Sequence, residues 1–268
     1  MTIYPFEDRV AEDRRLVAQG EVFDPLTRRL LERAGLAAGM RVLDLGSGAG
    51  NVARLAAELV GPGGAVVGVE RNPDAVELAR RRTDAPNIEY RVGEVETLDG
   101  IESGFDAVIG RLILMYVPDP VAALRRAASR LRPGGVICVH EADLTYSPAA
   151  PPTPTWTQVH GYFVAALEKA GIERRLGPAL FTAFRVAGLP DPELLVELFA
   201  AGGPAAPAWA WANVFSATVP LMELHGVASR ADVDPPTLSD RLLSETLATD
   251  GSVLGPPMFG AWTRLPAA

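Results

Sequence analysis

The stretch VLDLGSGAGN (residues 42–51) joins an apolar run to a glycine-rich turn. Glycines adopt positive φ and let the backbone approach a ligand closely, and a helix that follows presents unpaired N–H groups at its start. The stretch therefore predicts a strand, a tight turn and a helix, with a polar ligand at the turn. The spacing is GxGxG, because Gly50 is the third glycine and Asn51 stands where the dinucleotide-binding pattern GxGxxG has its third.

Short apolar runs alternate with helix-length segments through the first half of the chain. This alternation is typical of crossover units around a parallel sheet. The predicted strands are 41–45, 65–69, 88–92, 105–109 and 136–140, and the predicted helices between them are 49–60, 73–82 and 120–131. We expect a mostly parallel sheet with helices packed on it.

The rest of the chain has a different character. Residues 5–36 are typical of two short helices, and four prolines in SPAAPPTPT (147–155) predict an irregular connector. Further helices are predicted at 156–169, 178–187, 205–225 and 238–247, with strands at 193–199 and 259–265. We therefore expect an N-terminal helical cap (1–36), a ligand-binding core (37–143) and a segment (144–268) of helices with the last two strands, all in one compact domain.

Composition and charge exclude several classes of protein. The 268 residues are 48% hydrophobic, and 33 acidic residues outnumber 25 basic ones, which opposes a nucleic-acid binder. The single cysteine, Cys138, excludes an intramolecular disulfide and a cysteine-built zinc site. The start MTIYPFEDRV lacks the pattern of a signal peptide, and no run approaches the ~20 apolar residues of a membrane span. We expect a cytoplasmic protein without a membrane partner.

Polar residues follow the carboxyl ends of successive predicted strands. Glu70 follows the second strand, and its carboxylate can accept hydrogen bonds from two vicinal ribose hydroxyls. Glu94 follows the third strand and Arg111 the fourth. Because ligands of open parallel sheets bind beyond the carboxyl ends of the strands, these residues predict one nucleoside-shaped site.

Five motifs, in the order given below, resemble those of the class I S-adenosylmethionine-dependent methyltransferases. The resemblance is to their small-molecule branch, and to its bacterial members in particular. The motifs are VLDLGSGAG (42–50), VVGVERN (66–72), RVGEVETL (91–98), FDAVIGRLILMYVPDP (105–120) and LRPGGVICVHE (131–141). The resemblance implies a Rossmann-like α/β fold with seven mostly parallel strands, an antiparallel last strand, flanking helices and helical lid insertions. It also implies S-adenosylmethionine as cofactor and S-adenosylhomocysteine as product.

The resemblance implies roles for residues at the methionine end of the cofactor. Asp44 and the turn of Gly46, Ser47 and Gly48 would hold the methionine part, partly through backbone groups. Arg111 would line the same end through its carbonyl. As structural alternatives, Asp44 could cap a turn and Arg111 could be a surface cation.

Other residues would hold the nucleoside end. Glu70 would bind the ribose hydroxyls, with Arg71 beside the adenosine. Gly93, Glu94 and Val95 would frame the adenine, with glutamate where the family usually has aspartate. Glu70 and Glu94 could instead be solvated charges at strand ends.

Methyl transfer from a sulfonium is an in-line displacement, so positioning can supply up to ~7–11 kcal/mol of the catalysis. A base near the acceptor would add ~10²–10⁴-fold. We predict Glu141 and His160 as catalytic residues, ahead of His140 and Asp143. His140 shares a strand face with Cys138 and could be structural. No metal site is predicted, because Glu141 and Asp143 lack a third ligand nearby.

The second half of the chain is rich in aromatic side chains. Nine of the 18 lie between residues 156 and 215: Trp156, Tyr162, Phe163, Phe181, Phe184, Phe199, Trp209, Trp211 and Phe215. We expect Phe181, Phe184 and Phe199 in the core, and Trp209 or Trp211 facing a ligand or a subunit partner. The predicted acceptor is an apolar or aromatic small molecule, such as a natural-product intermediate, covered by segments 1–24, 155–187 and 205–225. A homo-oligomer is left open.

Two other functions stay open. A nicotinamide-dependent oxidoreductase also uses a strand, glycine turn and helix, although the GxGxG spacing and the RPGG segment before the fifth strand oppose it. A non-catalytic relative that binds the cofactor or a hydrophobic ligand would have the same cofactor site. The sequence does not separate that relative from an enzyme.

Overall fold

The computed structural model describes the backbone of residues 9–267, and it describes burial at Gly20 and burial and side-chain contacts from Val22 to Ala267. The strands are β1 (Arg41–Leu45), β2 (Ala65–Glu70), β3 (Ile88–Val92), β4 (Phe105–Arg111), β5 (Leu131–Ala142), β6 (Ala149–Ala150), β7 (Glu193–Glu197), β8 (Ala200–Gly202), β9 (Ser252–Leu254) and β10 (Met258–Arg264). The helices are α1 (Arg9–Arg33), α2 (Asn51–Val60), α3 (Pro73–Arg81), α4 (Pro120–Ala128), α5 (Pro154–Lys169), α6 (Leu176–Val186), α7 (Ala208–Ala217), α8 (Val219–Leu224), α9 (Arg230–Val233) and α10 (Pro235–Ala248).

The described residues fall into two compact units. The sheet unit contains Phe23–Glu141, Leu176–Val196 and the chain from Met258 onward. Of the described residues, the helical unit contains those from Arg9 to Val22, then Ala142–Arg175 and Glu197–Pro257. The predicted three-part division at residues 36 and 143 stays a prediction.

The sheet unit is built on a seven-stranded sheet of order β3-β2-β1-β4-β5-β10-β7. Strands β1 to β5 pair in parallel, and β10 is antiparallel, which confirms the predicted Rossmann-like class I methyltransferase fold class. Leu45 of β1 lies opposite Val69 of β2 and Gly110 of β4. From β1 the chain continues to β2 and β3 on one side of the sheet, and later to β4 and β5 on the other side. The strand order therefore reverses at β1.

The core of this unit follows from the periodicity of its elements. Along β1, Val42, Leu43 and Leu45 are all fully buried, as expected for a central parallel strand covered on both faces. One face of α2 buries Val52, Leu55 and Ala56 at helical spacing. Burial of this kind contributes about 25 cal/mol per Å² of apolar surface, so the core fixes the strand ends that carry the polar residues.

Two expectations about the elements of the chain were wrong. Residues 9–33 form the single helix α1 and not two short helices, while residues 5–8 lie outside the described part. Gly20 costs about 1 kcal/mol relative to alanine inside a helix, and buried Leu30 and Leu31 outweigh that cost.

Strand β5 begins at Leu131, five residues earlier than predicted. Leu131 pairs with Phe105, and a bulge in which Gly134 has a φ of +74° accommodates the RPGG segment.

The helical unit contains elements that the sequence did not indicate. A small sheet of order β6-β9-β8 is made of strands of two or three residues, such as Ala149–Ala150, too short and too poor in branched residues to show a pattern. The predicted helix 205–225 is split into α7 and α8 at Thr218. Pro220 lies in the first turn of α8, where its missing N–H is tolerated.

Candidate active site

The strands adjacent to the reversal point end in the polar residues that the sequence singled out. Asp44 and the glycine-rich loop end β1, Glu70 ends β2, and Arg111 ends β4 beside the last residues of β5. All of these belong to the sheet unit. In open α/β sheets a crevice beyond the carboxyl ends forms at such a reversal, so this edge is the candidate site.

The glycine-rich loop has a backbone that other residues would not adopt freely. Gly46, Gly48 and Gly50 have φ of +63°, +50° and +81°. A Cβ on Gly46 would collide with the side chain of Ile113, and one on Gly50 with the hydroxyl of Tyr90. No side chain caps the N-terminus of α2 after this loop. The start of α2 is therefore suited to a polar or anionic ligand group.

Asp44 and Ser47 bring buried polar atoms to this loop. Asp44 is 1% exposed, and within residues 9–267 neither of its carboxylate oxygens has a hydrogen-bond partner; the buried hydroxyl of Ser47 lacks one too. Burial raises the pKa of Asp44 to about 8, although the positive charge of Arg111 opposes the shift. Polar atoms buried without partners cost free energy, so this pair is suited to a ligand that supplies donors and positive charge.

Glu70 connects the end of β2 to the loop. Its Oε2 accepts from the Gly48 N–H at 3.1 Å, and its Oε1 accepts from the Asn72 N–H at 2.9 Å. Each carboxylate oxygen has a second acceptor position, so Glu70 can hold the loop and still accept from a ligand hydroxyl. The sequence predicted the second role and missed the first.

The remaining residues assigned to the nucleoside end lie around β2 and β3. The Gly93 N–H donates to the Glu70 carbonyl, Glu94 is exposed and Val95 is buried. Arg71 is half-buried directly after β2. Glu94 therefore has a free surface position suited to an adenine amine, and these assignments stay predictions.

Arg111 takes part in a buried polar chain that the sequence did not reveal. Its Nη1 donates to Asp24 Oδ1 and to Thr27 Oγ1, both at 2.9 Å, and Thr27 Oγ1 lies 3.1 Å from His140 Nδ1. Asp24 and Thr27 lie one turn apart on α1, and this i,i+3 spacing beside buried leucines is the signal that could have been used. The side chain of Arg111 is thus committed to α1, leaving its carbonyl as the group predicted to line the site.

His140 has a structural environment, as one of its two interpretations held. Burial, together with the nearby positive charge of Arg111, lowers the pKa of His140 to about 3. The ring is therefore neutral. Asp143, the other minor candidate base, accepts from the Thr145 N–H at 2.9 Å and from the Thr145 hydroxyl at 2.6 Å, which closes a turn.

Glu141 is fully buried at the end of β5. Its Oε1 accepts from the N–H groups of Ile113 and Leu114 at 3.0 and 2.9 Å, while Oε2 has no partner among the described residues. Burial raises the pKa of Glu141 to about 7, against the effect of these N–H groups. Its carboxylate therefore has a structural task, and its catalytic role stays a prediction.

His160 lies on α5 in the helical unit, within a group of aromatic rings. Its ring centre is 6.1 Å from that of Trp211 and 6.3 Å from those of Phe163 and Phe215. His160 Nε2 lies 3.0 Å from the Leu144 carbonyl, and because a carbonyl only accepts, Nε2 carries the proton and Nδ1 the lone pair. Burial lowers the pKa of His160, although the bond to Leu144 and the charge of Asp143 oppose this shift.

The other aromatic residues divide between core and surface. Trp211 is 4% exposed and donates from Nε1 to the Leu254 carbonyl at 2.8 Å, whereas Trp209 is 42% exposed. Phe184 is buried as expected. Phe181, at 36% exposure, was wrongly assigned to the core, because it lies one residue off the face of α6 that buries Leu180 and Phe184.

Neither a metal centre nor a membrane helix is found in the described part of the chain. No group of three histidine, cysteine or carboxylate side chains in residues 9–267 could hold a metal ion. In the same residues, every helix is too short or too polar to cross a bilayer.

The donor set of the sheet unit fits the cofactor that the motifs imply. The oxygens of Asp44 and the hydroxyl of Ser47, which have no partner among the described residues, can bind a cationic amino-acid group. The carboxylate of Glu70 can accept hydrogen bonds from vicinal hydroxyls. The narrow turn at Gly46 and Gly48 lets backbone approach closely. These features match the parts of S-adenosylmethionine.

Comparison with known proteins gives the same identification. Residues 36–168 match the family model described as a methyltransferase domain. Arsenite methyltransferase of Halobacterium salinarum is 37% identical over 115 residues, 42% of this chain and 29% of that protein. Aklanonic acid methyltransferase DauC of Streptomyces sp. strain C5 is 38% identical over 120 residues, 44% of this chain and 54% of that protein. The chain thus spans about a third to a half of the length of the curated relatives it matches.

A solved structure supports the fold over a longer stretch. Phosphoethanolamine N-methyltransferase 2 of Haemonchus contortus, in complex with phosphomonomethylethanolamine and S-adenosylhomocysteine, superposes with a TM-score of 0.56 at 19% identity. The match covers 89% of this chain and 52% of that one. Fold, motif order and family model agree, and residues 36–168 therefore form a methyltransferase domain of the class I S-adenosylmethionine-dependent family.

Proposed function

We propose that this chain transfers a methyl group from S-adenosylmethionine to an apolar or aromatic small molecule. The observation that carries the proposal is the set of buried oxygens of Asp44 and Ser47 that have no hydrogen-bond partner among the described residues, beside the glycine-rich loop that Glu70 holds. When bound, S-adenosylmethionine supplies an electrophilic methyl group on a sulfonium. The chain itself would bind the cofactor and the acceptor, orient them toward each other and exclude water from the site.

Different residues of the sheet unit would bind the methionine part and the nucleoside part of the cofactor. Asp44, Gly46, Ser47, Gly48 and the carbonyl of Arg111 would hold the methionine part. At the other end, Glu70 would accept from the ribose hydroxyls. Because in-line transfer depends on attack geometry, this positioning would supply most of the rate enhancement, up to ~7–11 kcal/mol.

The nucleoside end would be completed by residues that follow β2 and β3. Arg71 would flank the adenosine, while Gly93 and Val95 would frame the adenine. Glu94 is exposed and has a carboxylate that can accept from an exocyclic amine. A glutamate is one methylene longer than the aspartate that the family usually has, so its carboxylate reaches further from the backbone.

His160 is the better of the two predicted bases. Its Nδ1 carries the lone pair, and its depressed pKa keeps the ring neutral and able to accept a proton at pH 7. The carboxylate of Glu141, in contrast, already accepts from two backbone N–H groups. We infer that His160 removes the proton of an O–H or N–H acceptor, for a gain of ~10²–10⁴-fold.

The acceptor class is inferred from the aromatic content of the helical unit. Arsenite is named for one relative, and its arsenic is a soft centre that thiolates bind. The sole cysteine of this chain, Cys138, is buried, and burial raises the pKa of its thiol. We therefore do not extend arsenite to this chain. Aklanonic acid, named for the other relative, belongs to the class of small organic acceptors that we propose.

The proposal is tested by turnover with S-adenosylmethionine that carries a labelled methyl group. The purified chain is incubated with a panel of small phenols, amines and apolar acids, and with protein and RNA as controls. We expect label in a small aromatic or apolar product and formation of S-adenosylhomocysteine. Label in protein or RNA alone, or no turnover with any small acceptor, would contradict the proposed substrate class.

A further inference from the structure

The carboxylate of Glu141 organises the backbone that follows β4. Its Oε1 accepts from two consecutive N–H groups, those of Ile113 and Leu114, at 3.0 and 2.9 Å. Glu141 is 0% exposed, so these bonds form away from competing water. Because the local dielectric constant is low there, these bonds are stronger than they would be in water.

The backbone that Glu141 holds is in an unusual conformation. Leu112 has a φ of +51°, in the left-handed region that non-glycine residues rarely adopt. Its N–H donates to the His140 carbonyl at 2.9 Å, so two neighbouring residues of β5 fix three consecutive amides after β4. A conformation of this kind persists only where its surroundings impose it.

The side chain of Ile113 carries this constraint to the glycine-rich loop. A Cβ on Gly46 would meet Cδ1 and Cγ1 of Ile113, and a Cβ on Gly110 would lie 3.0 Å from Ile113 Cγ2. Ile113 therefore lies directly on the backbone of Gly46, at the first turn of the loop. The contact leaves no space for the loop to shift toward β4.

We propose that Glu141 is a positioning residue for the cofactor site: it fixes the turn of residues 112–114, and through Ile113 it keeps the Gly46 loop in its binding conformation. This inference rests on the proposed function, because the loop is the part of the chain assigned to the methionine end of S-adenosylmethionine. It gives Glu141 a task that needs an acceptor oxygen and no proton transfer.

Substitution with glutamine separates positioning from base catalysis. Glu141→Gln keeps an acceptor oxygen for the Ile113 and Leu114 amides, whereas Glu141→Ala removes it. Hydrogen exchange of the free full-length chain is followed at residues 112–115 and 46–50, and S-adenosylmethionine affinity is measured by calorimetry. We expect Glu141→Ala to speed exchange at both segments and weaken affinity by about 10–100-fold, the equivalent of losing two buried hydrogen bonds. Glu141→Gln should restore exchange, affinity and turnover to near the wild-type values.

Two further variants test the route through Ile113. Ile113→Ala leaves Glu141 in place and should speed exchange at 46–50, which keeps the proposal testable if Glu141→Ala does not fold. Glu245→Ala is the matched control, because Glu245 also accepts a backbone N–H, that of Thr155 at 3.0 Å, in the helical unit. It should change neither the exchange of 46–50 nor the affinity.

Three results decide between the accounts. Unchanged exchange at 46–50 in both Glu141→Ala and Ile113→Ala would overturn the positioning role, and so would a Glu141→Gln variant as impaired as Glu141→Ala. A wild-type chain that does not bind S-adenosylmethionine would refute the proposed function instead, while the exchange data would still show whether Glu141 holds the loop.

Discussion

Glu70 Oε2 lies 3.1 Å from the Gly48 nitrogen and accepts its hydrogen bond, so the acidic end of β2 is tied to the middle of the loop that ends β1. A second oxygen of the same carboxylate accepts from Asn72, at the start of α3. One side chain thus fixes the relative positions of two strand ends. We propose that it also accepts from the ribose, which combines loop geometry and cofactor affinity in a single residue.

Replacement of Glu70 should therefore weaken cofactor binding more than protein stability. Loss of hydrogen bonds to a charged group costs ~1.5–3 kcal/mol, so Glu70→Ala should lower S-adenosylmethionine affinity by about 10–150-fold. Glu77→Ala is a matched control, because Glu77 is an exposed carboxylate on α3 paired with Arg80. Calorimetry of both variants checks this, and equal affinity in Glu70→Ala and wild type would remove the ribose assignment.

Asp44 should make the free chain less stable as the pH rises. Its pKa is about 8 in the folded chain and 3.8 as the ordinary value, so between about pH 4 and 8 the folded state binds a proton that the unfolded state has lost. The free energy of unfolding then falls by up to ~1.4 kcal/mol per pH unit from this group. Asp44→Asn removes this dependence.

Urea unfolding of wild type and Asp44→Asn at several pH values between 4 and 8 measures the difference. The variant should gain stability relative to wild type as the pH increases. A difference between the two proteins that stays constant over the whole range would show that Asp44 is not protonated in the folded chain.

The Asp24–Arg111 pair should contribute to stability as well as to the shape of the site. The side chain of Arg111 is 4% exposed and that of Asp24 is 27% exposed. Breaking a buried pair by removing one partner costs ~3–5 kcal/mol, and the solvent contact of Asp24 places Arg111→Met near the lower limit. A double-mutant cycle with Asp24→Asn should show a coupling energy well above zero. Additive effects of the two substitutions would mean that the pair contributes only through its separate contacts.

The acid limb of the pH–rate profile should identify the base. Burial lowers the pKa of His160 below its ordinary value of 6.5, so kcat/KM should rise with pH along a limb whose midpoint lies below pH 6.5. His160→Gln should remove this limb and reduce the rate by ~10²–10⁴-fold. A limb centred near pH 7 that disappears in Glu141→Gln would assign the base to Glu141, whose pKa is about 7, and would contradict our choice.

The sequence predicted those parts of the fold that local pattern determines. Strands β1 and β3 begin and end where predicted, because their apolar runs are bounded by glycine, asparagine and charged residues. The Glu70 position at a strand end also followed from pattern and motif. The two-helix prediction for residues 5–36 failed because Gly20 and Pro25 lie inside α1 without ending it, and the long-range packing that stabilises α1 is not visible in a local pattern.

The polar contacts of the site depend on tertiary structure and could not be derived. The i,i+3 spacing of Asp24 and Thr27 places them on one face of α1, but it does not identify Arg111, more than 80 positions away along the chain, as their partner. The acceptor role of Glu141 toward residues 113 and 114 likewise depends on the pairing of β4 with β5. The sequence therefore predicted which polar residues lie at the strand ends, but it did not predict their hydrogen-bond partners.

The most direct test of the central claim is a calorimetric titration of the full-length chain with S-adenosylmethionine, with NADH as the comparison ligand. We expect saturable binding of S-adenosylmethionine at one site per chain and no response to NADH. Saturable binding of NADH, with no response to S-adenosylmethionine, would contradict the assignment and favour a nicotinamide-dependent enzyme.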